Sequence, residues 1–434
     1  MNHRGQLRSS WFAATRVNRS ASWFTNSGIF IIRLMASDAR LSRSVQFPRV
    51  INVDDLRRLA RRRLPPVVFD YIDGAAEDEL TLRENCRAFQ QVTFRPRQCV
   101  AVAACDLRVS LFGTTFELPF MLAPVGFCRM FYPQGDIHAA GAANAAGTAF
   151  TLSTFSGTRL EDLRAAVSGP LWYQLYVPGG RSVAESMIAR ARAAGYSVLV
   201  VTIDTPVSGM RERDFRHGAR PLLAGELWNS VPYLSQFIRH PGWVVGYLGD
   251  GALRVFPNIE LPGIGPMPCS DVGVLLEQTL VTWEDLRWMR DAWKGPMVVK
   301  GVHTADDARH AVDGGADAVV VSNHGGRQLD GVAASLRALP EVVAAVGSQI
   351  PVLMDGGIRR GGDIVKAVCL GARAVLVGRP YAWGLGAAGR PGVARAIEIL
   401  RTDLVRTMKL LGCAAIGDLD RSYVDAPAEW FHRA

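Results

Sequence analysis

The cysteines of this chain follow no pairing pattern. There are seven, an odd number, widely spaced at Cys86, Cys99, Cys105, Cys128, Cys269, Cys369 and Cys413, with no C-x-x-C. This argues against a disulfide framework and a zinc site, so no metal is expected, and it suits a reducing compartment. Each thiol reads as a small core hydrophobe or an idle surface group. Apolar runs are short. Ile29-Phe30-Ile31-Ile32 ends at Arg33, and no run is long enough to span a bilayer. No G-x-G-x-x-G strand–turn–helix unit is evident, which argues against a nicotinamide dinucleotide as electron acceptor. Zinc-finger, RNA-binding and long basic-helix signatures are missing too. The formal net charge of +9 therefore points to anionic small molecules or an anionic membrane surface before nucleic acid.

The 434 residues are 49% hydrophobic, enough for a large core. From Leu118 onward, apolar runs alternate with helical segments. The strand candidates are 118–123, 149–153, 171–176, 197–203, 296–300, 317–321, 350–354 and 373–377. Eight strands with helices between them predict an α/β fold, a (β/α)₈ TIM barrel. A doubly wound open sheet shows similar alternation, but here polar and charged residues recur at nearly every strand end, which favours the barrel. Residues 52–89 predict an N-terminal helical cap broken at Pro65-Pro66.

The repeat pauses in a long insertion after strand 4, residues 207–281, an excursion that the barrel itself does not need. Its middle sets Tyr233, Phe237, Trp243, Tyr247 and Phe256 beside Arg239, His240 and Arg254, a composition that suits a membrane interface. A lid on the barrel or a subunit contact is the alternative. Residues 1–45 carry Arg4, Arg8, Arg16, Arg19, Arg33, Arg40 and Arg43 against one acid, Asp38. This stretch reads as a disordered extension, as an organelle transit peptide, or as sequence upstream of a start at Met35. The barrel domain is then expected over 46–430.

Asp317 to Asp330, DAVVVSNHGGRQLD, is the densest stretch. The β-branched run Val319-Val320-Val321 predicts a buried strand that stops at polar residues and glycines. His324 can exchange a proton near neutral pH, and Arg327 offers a cationic fork that suits a carboxylate. Together they predict an anionic substrate with a proton to lose. The other strand ends carry Pro124-Val125-Gly126, Ser153, Gln174 with Tyr176, Thr202 with Asp204 and then Arg211, Lys300, Asp355-Gly356-Gly357 with Arg359, and Gly378-Arg379. Glycines followed by arginine after strands 7 and 8 predict a phosphate site.

The string SNHGGRQLD resembles the signature of the FMN-dependent L-2-hydroxy-acid oxidase and dehydrogenase family, which includes glycolate oxidase, L-lactate dehydrogenase and mandelate dehydrogenase. The resemblance runs from about Val53 to about Val424 and departs slightly at Gly74-Ala75-Ala76, where Ser-Gly or Gly-Gly is usual. It implies FMN as cofactor and oxidation of an L-2-hydroxy acid to a 2-oxo acid. His324 would be the base, paired with Asp204, and Tyr176 would bond the substrate oxygen. Arg327 and Arg211 would clamp the carboxylate, with Tyr71 adding a hydrogen bond. Pro124, Val125 and Gly126 would lie against the flavin. Ser153, Gln174 and Thr202 would bond the ring edge, Lys300 would face N1 and O2, and Asp355 the ribityl chain. Gly357, Arg359, Gly378 and Arg379 would hold the phosphate, with Ser322 and Gly356 among the cofactor contacts. Phe155 and Met130 to Tyr132 would line the side-chain pocket.

The segments PVGF and STFS and the insertion look closest to the membrane-associated lactate dehydrogenases. The resemblance therefore implies L-lactate as substrate, with mandelate or another aryl 2-hydroxy acid as the alternative. It implies a quinone or cytochrome acceptor, because Gly126 replaces the alanine of most oxidases; an oxygen-using oxidase is the alternative. It also implies peripheral contact with the cytoplasmic side of the inner membrane, or a mitochondrial location if residues 1–45 are a transit peptide, and a homotetramer. A non-catalytic flavin-binding membrane protein is the remote alternative.

Overall fold

Eight parallel strands close into a barrel, each at a run expected from the sequence, with the fifth ending two residues later than expected and the seventh one. They are β1 (Phe120–Leu122), β2 (Phe150–Leu152), β3 (Leu171–Leu175), β4 (Val198–Thr202), β5 (Met297–Val302), β6 (Ala318–Val321), β7 (Val352–Asp355) and β8 (Ala374–Val377). Each pairs with its neighbour, and β8 returns to β1 through Val375↔Phe120. This computed structural model describes residues 49–224, 227–273 and 281–431. The expected extension over residues 1–45 lies outside the described residues.

The strands are buried on both faces, as parallel strands flanked by helices must be. Their pleat sorts side chains into two sets. Met121, Trp172, Val198, Val200, Val298, Ala318, Val320, Leu353, Ala374 and Leu376 fill the lumen. The alternate residues, Val299, Val319 and Val375 among them, pack outward against the helices. Val109, Leu111 and Phe116 belong to the lumen cluster. They come from an antiparallel hairpin, Val109–Leu111 with Thr114–Phe116.

Two residues beyond a lumen residue is again a lumen position. Gln174 follows Trp172, Thr202 follows Val200, Lys300 follows Val298, Ser322 follows Val320 and Asp355 follows Leu353. The polar residues are thus the next layer of the same inward-facing file, at the C-terminal end where barrel enzymes place their chemistry.

The cap has three helices: α1 (Val53–Arg63), α2 (Pro66–Asp73) and α3 (Leu80–Gln91). Asn52 and Asp55 form a capping box on α1, and Pro66 begins α2 where the sequence predicts the break. No side chain of its own caps α3. Asp330 does so from the barrel, accepting from the backbone N–H of Leu80 (3.0 Å) and Thr81 (2.7 Å).

The insertion differs from expectation. It is not an appendage, because its hairpin, Val255–Leu261 with Gly265–Pro268, sends Phe256, Ile259 and Met267 into the main core, each fully buried. Asn258 accepts from the N–H of Leu160 and donates to the carbonyl of Thr158, both at 2.9 Å. Trp243 stacks with Phe237 and Tyr247 and donates to the Met130 carbonyl at 2.7 Å. The insertion exposes several large apolar side chains, Trp228 (89%), Ile238 (79%), Ile264 (69%) and Leu248 (61%) foremost, while the aromatics singled out in the sequence mostly pack inward. Among the described residues no helix is long and apolar enough to cross a membrane.

Candidate active site

A cavity of about 120 Å³ opens at the C-terminal end of the barrel. Tyr71, Pro124, Val125, Gly126, Lys300, His324, Arg327, Asp355, Gly356, Gly357, Arg359, Gly378 and Arg379 line it. Sequence separation between these residues exceeds 300 positions, and barrel closure brings them together.

His324 Nδ1 lies 2.9 Å from Asp204 Oδ1. Burial opposes the charge on Asp204, but His324 and Lys300 outweigh it and hold the carboxyl down to about 2. Ser322 Oγ accepts from Lys300 Nζ at 2.9 Å and from the His324 N–H at 3.0 Å, so one hydroxyl links the lysine to the histidine loop. Lys300, one of only four lysines in the chain, is 3.0 Å from Asp355. Burial disfavours its charge, yet Asp355 and Asp204 raise its pKa. Gly301, next in β5, has φ +103°, and a Cβ there would lie 2.7 Å from Asp204 Cβ. Glycine is what lets the strand run against Asp204.

Arg327 stacks over the Tyr71 ring, with Cζ 4.7 Å from its centroid, and donates to the carbonyls of Tyr71 (2.6 Å) and Gly74 (3.2 Å). Burial and the charge of Arg211 lower its pKa. Burial raises that of the Tyr71 hydroxyl. Arg211 does not line the cavity; its Nε donates to Asp214 at 2.9 Å, while its charge still acts on both Tyr71 and Arg327. Thr205 Oγ1 donates to Asp204 at 3.1 Å and lies 3.4 Å from the Tyr176 hydroxyl.

A second cationic group gathers at Arg359 and Arg379. Arg379 donates to the carbonyls of Gly325 (2.9 Å) and Gly74 (2.7 Å) and its buried Nε has no partner. Burial, Arg359 and Arg327 all press its pKa down, a crowding of cations that a bound anion relieves. Arg379 opens the helix Arg379–Ala388, whose N-terminal dipole adds to that field. Gln174 Nε2, Thr202 Oγ1 and Asp355 Oδ1 are likewise buried without partners. Ser153 donates to Gln174 Oε1 at 3.1 Å and fixes which amide atom stays unpaired. Unpaired donors and acceptors ringing the lumen beside an anion site fit a flat heteroaromatic group with a phosphate tail, which is the chemistry of FMN.

Several supporting residues had no assigned role in the sequence. Gln328 donates to the Asp204 carbonyl (3.1 Å) and Asp330 caps α3; both lie within the DAVVVSNHGGRQLD stretch. Asp214 holds Arg211 from three residues away, a spacing the sequence does display. Asn85 exchanges amide hydrogen bonds with Asn323 at 2.8 and 2.9 Å across 238 residues, and no local pattern signals it.

The sequence profile described as FMN-dependent dehydrogenase matches residues 60–426. An L-lactate oxidase from Nostoc sp. is 40% identical over 381 residues, covering 86% of this chain and 98% of that protein. A crystal structure of the monotopic membrane protein (S)-mandelate dehydrogenase superposes with a TM-score of 0.81 at 37% identity, covering 87% of this chain and 99% of that one. A mandelate oxidase structure gives 0.72 at 35% identity, covering 86% and 98%.

Proposed function

Because the chain belongs to the FMN-dependent dehydrogenase family, and is thereby an FMN-dependent enzyme of 2-hydroxy-acid oxidation, we propose that its substrate is L-lactate, oxidised to pyruvate, and that a membrane quinone or a cytochrome receives the electrons. The observation that carries the chemistry is the Asp204-held His324 in one cavity with Arg327, Tyr71 and the Arg359–Arg379 anion site. FMN, when bound, supplies the acceptor for the two electrons that the hydroxy acid gives up. Arg359 and Arg379 hold its phosphate, while Gln174, Thr202, Lys300 and Asp355 meet its polar edge and chain. Arg327 binds the substrate carboxylate, with Arg211 reinforcing the field and Tyr71 donating. His324 removes a proton through Nε2, since Nδ1 faces Asp204, and the ionised Asp204 stabilises the imidazolium that forms. Tyr176 bonds the substrate oxygen.

The Nostoc relative, named an L-lactate oxidase, supports lactate; the mandelate enzymes among the structural neighbours support an aryl acid as the second choice. Exposed Trp228, Ile238 and Leu248, in an insertion that also exposes Arg239 and Arg254, support docking at an anionic membrane surface, where a quinone is at hand. The test is anaerobic bleaching of the flavin by lactate, glycolate and mandelate. Fastest bleaching by lactate is expected. Faster bleaching by mandelate overturns the substrate, and no bleaching by any of the three overturns the proposal.

A further inference from the structure

Tyr71 and Tyr176 are joined by a continuous arc of rings. Tyr71 meets Phe127 at 5.1 Å, Phe127 meets Phe256 at 5.1 Å, Phe256 meets Phe155 at 5.3 Å, and Phe155 meets Tyr176 at 5.2 Å. Every link lies in the range where aromatic pairs attract, and three of the four are edge contacts. Five separate segments supply the rings: α2, the turn after β1, the insertion hairpin, the turn after β2 and the end of β3. Phe256 is the middle link, the one ring from the insertion, and it is fully buried.

Gly126 sits within the span of the arc. A methyl built on it would lie 3.3 Å from both Phe155 Cβ and the Tyr71 hydroxyl. Gly126 also lines the cavity that holds His324 and Arg327. Of the arc only Tyr71 lines that cavity, and Phe155, expected from the sequence to line the side-chain pocket, instead backs its wall at Gly126.

We infer that Phe256 is a specificity-determining residue: by fixing Phe127 and Phe155 it sizes the chamber that receives the substrate's side chain, and sets it for a short aliphatic one. The inference rests on the 2-hydroxy-acid function proposed above. Phe256 does not line the cavity. It acts as a positioning residue, because a close-packed ring between two others removes the room into which they would retreat. A smaller side chain at 256 lets both rings move back, since a core relaxes partway into a vacated volume. The insertion then contributes to substrate choice as well as to the surface.

The experiment compares FMN-loaded wild type with Phe256→Leu and Phe256→Met over glycolate, lactate, 2-hydroxybutyrate, 2-hydroxyoctanoate and mandelate. The ratio of kcat/KM for mandelate to that for lactate is expected to rise about tenfold, the scale of one or two methylenes of pocket. The dissociation constant of oxalate, which has no side chain and is read from the flavin spectrum, should stay within about twofold, well below that scale. Ile259→Val, buried in the same hairpin but outside the arc, should leave the ratio unchanged. An unchanged ratio in both Phe256 variants overturns the inference. So does a parallel loss of oxalate affinity, or loss of FMN from both variants, since each makes Phe256 a folding residue only. Failure of wild type on lactate but not on other acids removes the lactate assignment alone, and the size series is then read from the best small substrate.

Discussion

His324 Nδ1 stands 2.9 Å from Asp204 Oδ1, and His324 takes that position with its backbone in the left-handed region, φ +57°. A side chain there costs on the order of 1–3 kcal/mol and persists where the surroundings over-determine it. They do so here: Ser322 receives the His324 N–H, and the neighbouring Gly325 carbonyl receives Arg379. The loop is held in a strained form that aims the imidazole.

Replacing His324 with Gln should leave a folded, yellow protein whose anaerobic reduction by substrate slows by about 10²–10⁴-fold. Stopped-flow bleaching measures it. Near wild-type reduction would remove His324 from the base role.

Asp204 predicts a pH dependence of stability. Its folded pKa of about 2 lies below its ordinary 3.8. A depressed carboxyl contributes stability that is fully present above the unfolded value and is lost as pH falls through the folded one. The urea midpoint of the wild type should therefore fall more steeply from pH 4 to pH 2 than that of Asp204→Asn. Parallel curves would show that the pair stores no such energy. The same variant should lose catalysis about as severely as a histidine deprived of its orienting carboxylate.

The strands were legible because their chemistry is local. Val198–Thr202 and Ala318–Val321 are β-branched runs, and burial on both faces of a parallel barrel demands such runs. His324 and Arg327 were legible because they share one stretch with the turn that places them. The insertion was not. Trp243 and Tyr247 read as interface aromatics, yet they stack on each other at 4.8 Å, and composition does not say which face a ring presents. The Asn85–Asn323 pair and the Phe256 link depend on segments that only tertiary folding brings together.

The exposed apolar side chains of the insertion offer a sharper probe than removal of the whole segment, which would take Phe256 with it. Trp228→Ser, Ile238→Ser and Leu248→Ser combined should lower partition onto anionic liposomes at least about 100-fold, given ~1.5–3 kcal/mol for each large apolar side chain. FMN content should not change. Equal co-sedimentation of the triple variant and wild type would refute the docking face.

Reoxidation should favour quinone over oxygen in the wild type. Gly126→Ala brings a methyl to 3.3 Å from the Tyr71 hydroxyl, on the wall of the cavity that would hold the flavin. The ratio of oxygen to quinone rates, from stopped-flow reoxidation, should shift in the variant. Faster reaction of the wild type with air than with quinone makes the enzyme an oxidase, and a constant ratio clears Gly126 of any part in acceptor choice.

Gly301 carries no reactive atom, yet a single methyl on it would occupy the place of Asp204, at 2.7 Å from its Cβ. A saturation mutagenesis map of this chain should accordingly show position 301 as intolerant as position 324. Such maps score vacancy and reactivity alike, and an inactive Gly301→Ala would mark a volume that the active enzyme keeps empty, one residue past Lys300 on the same strand.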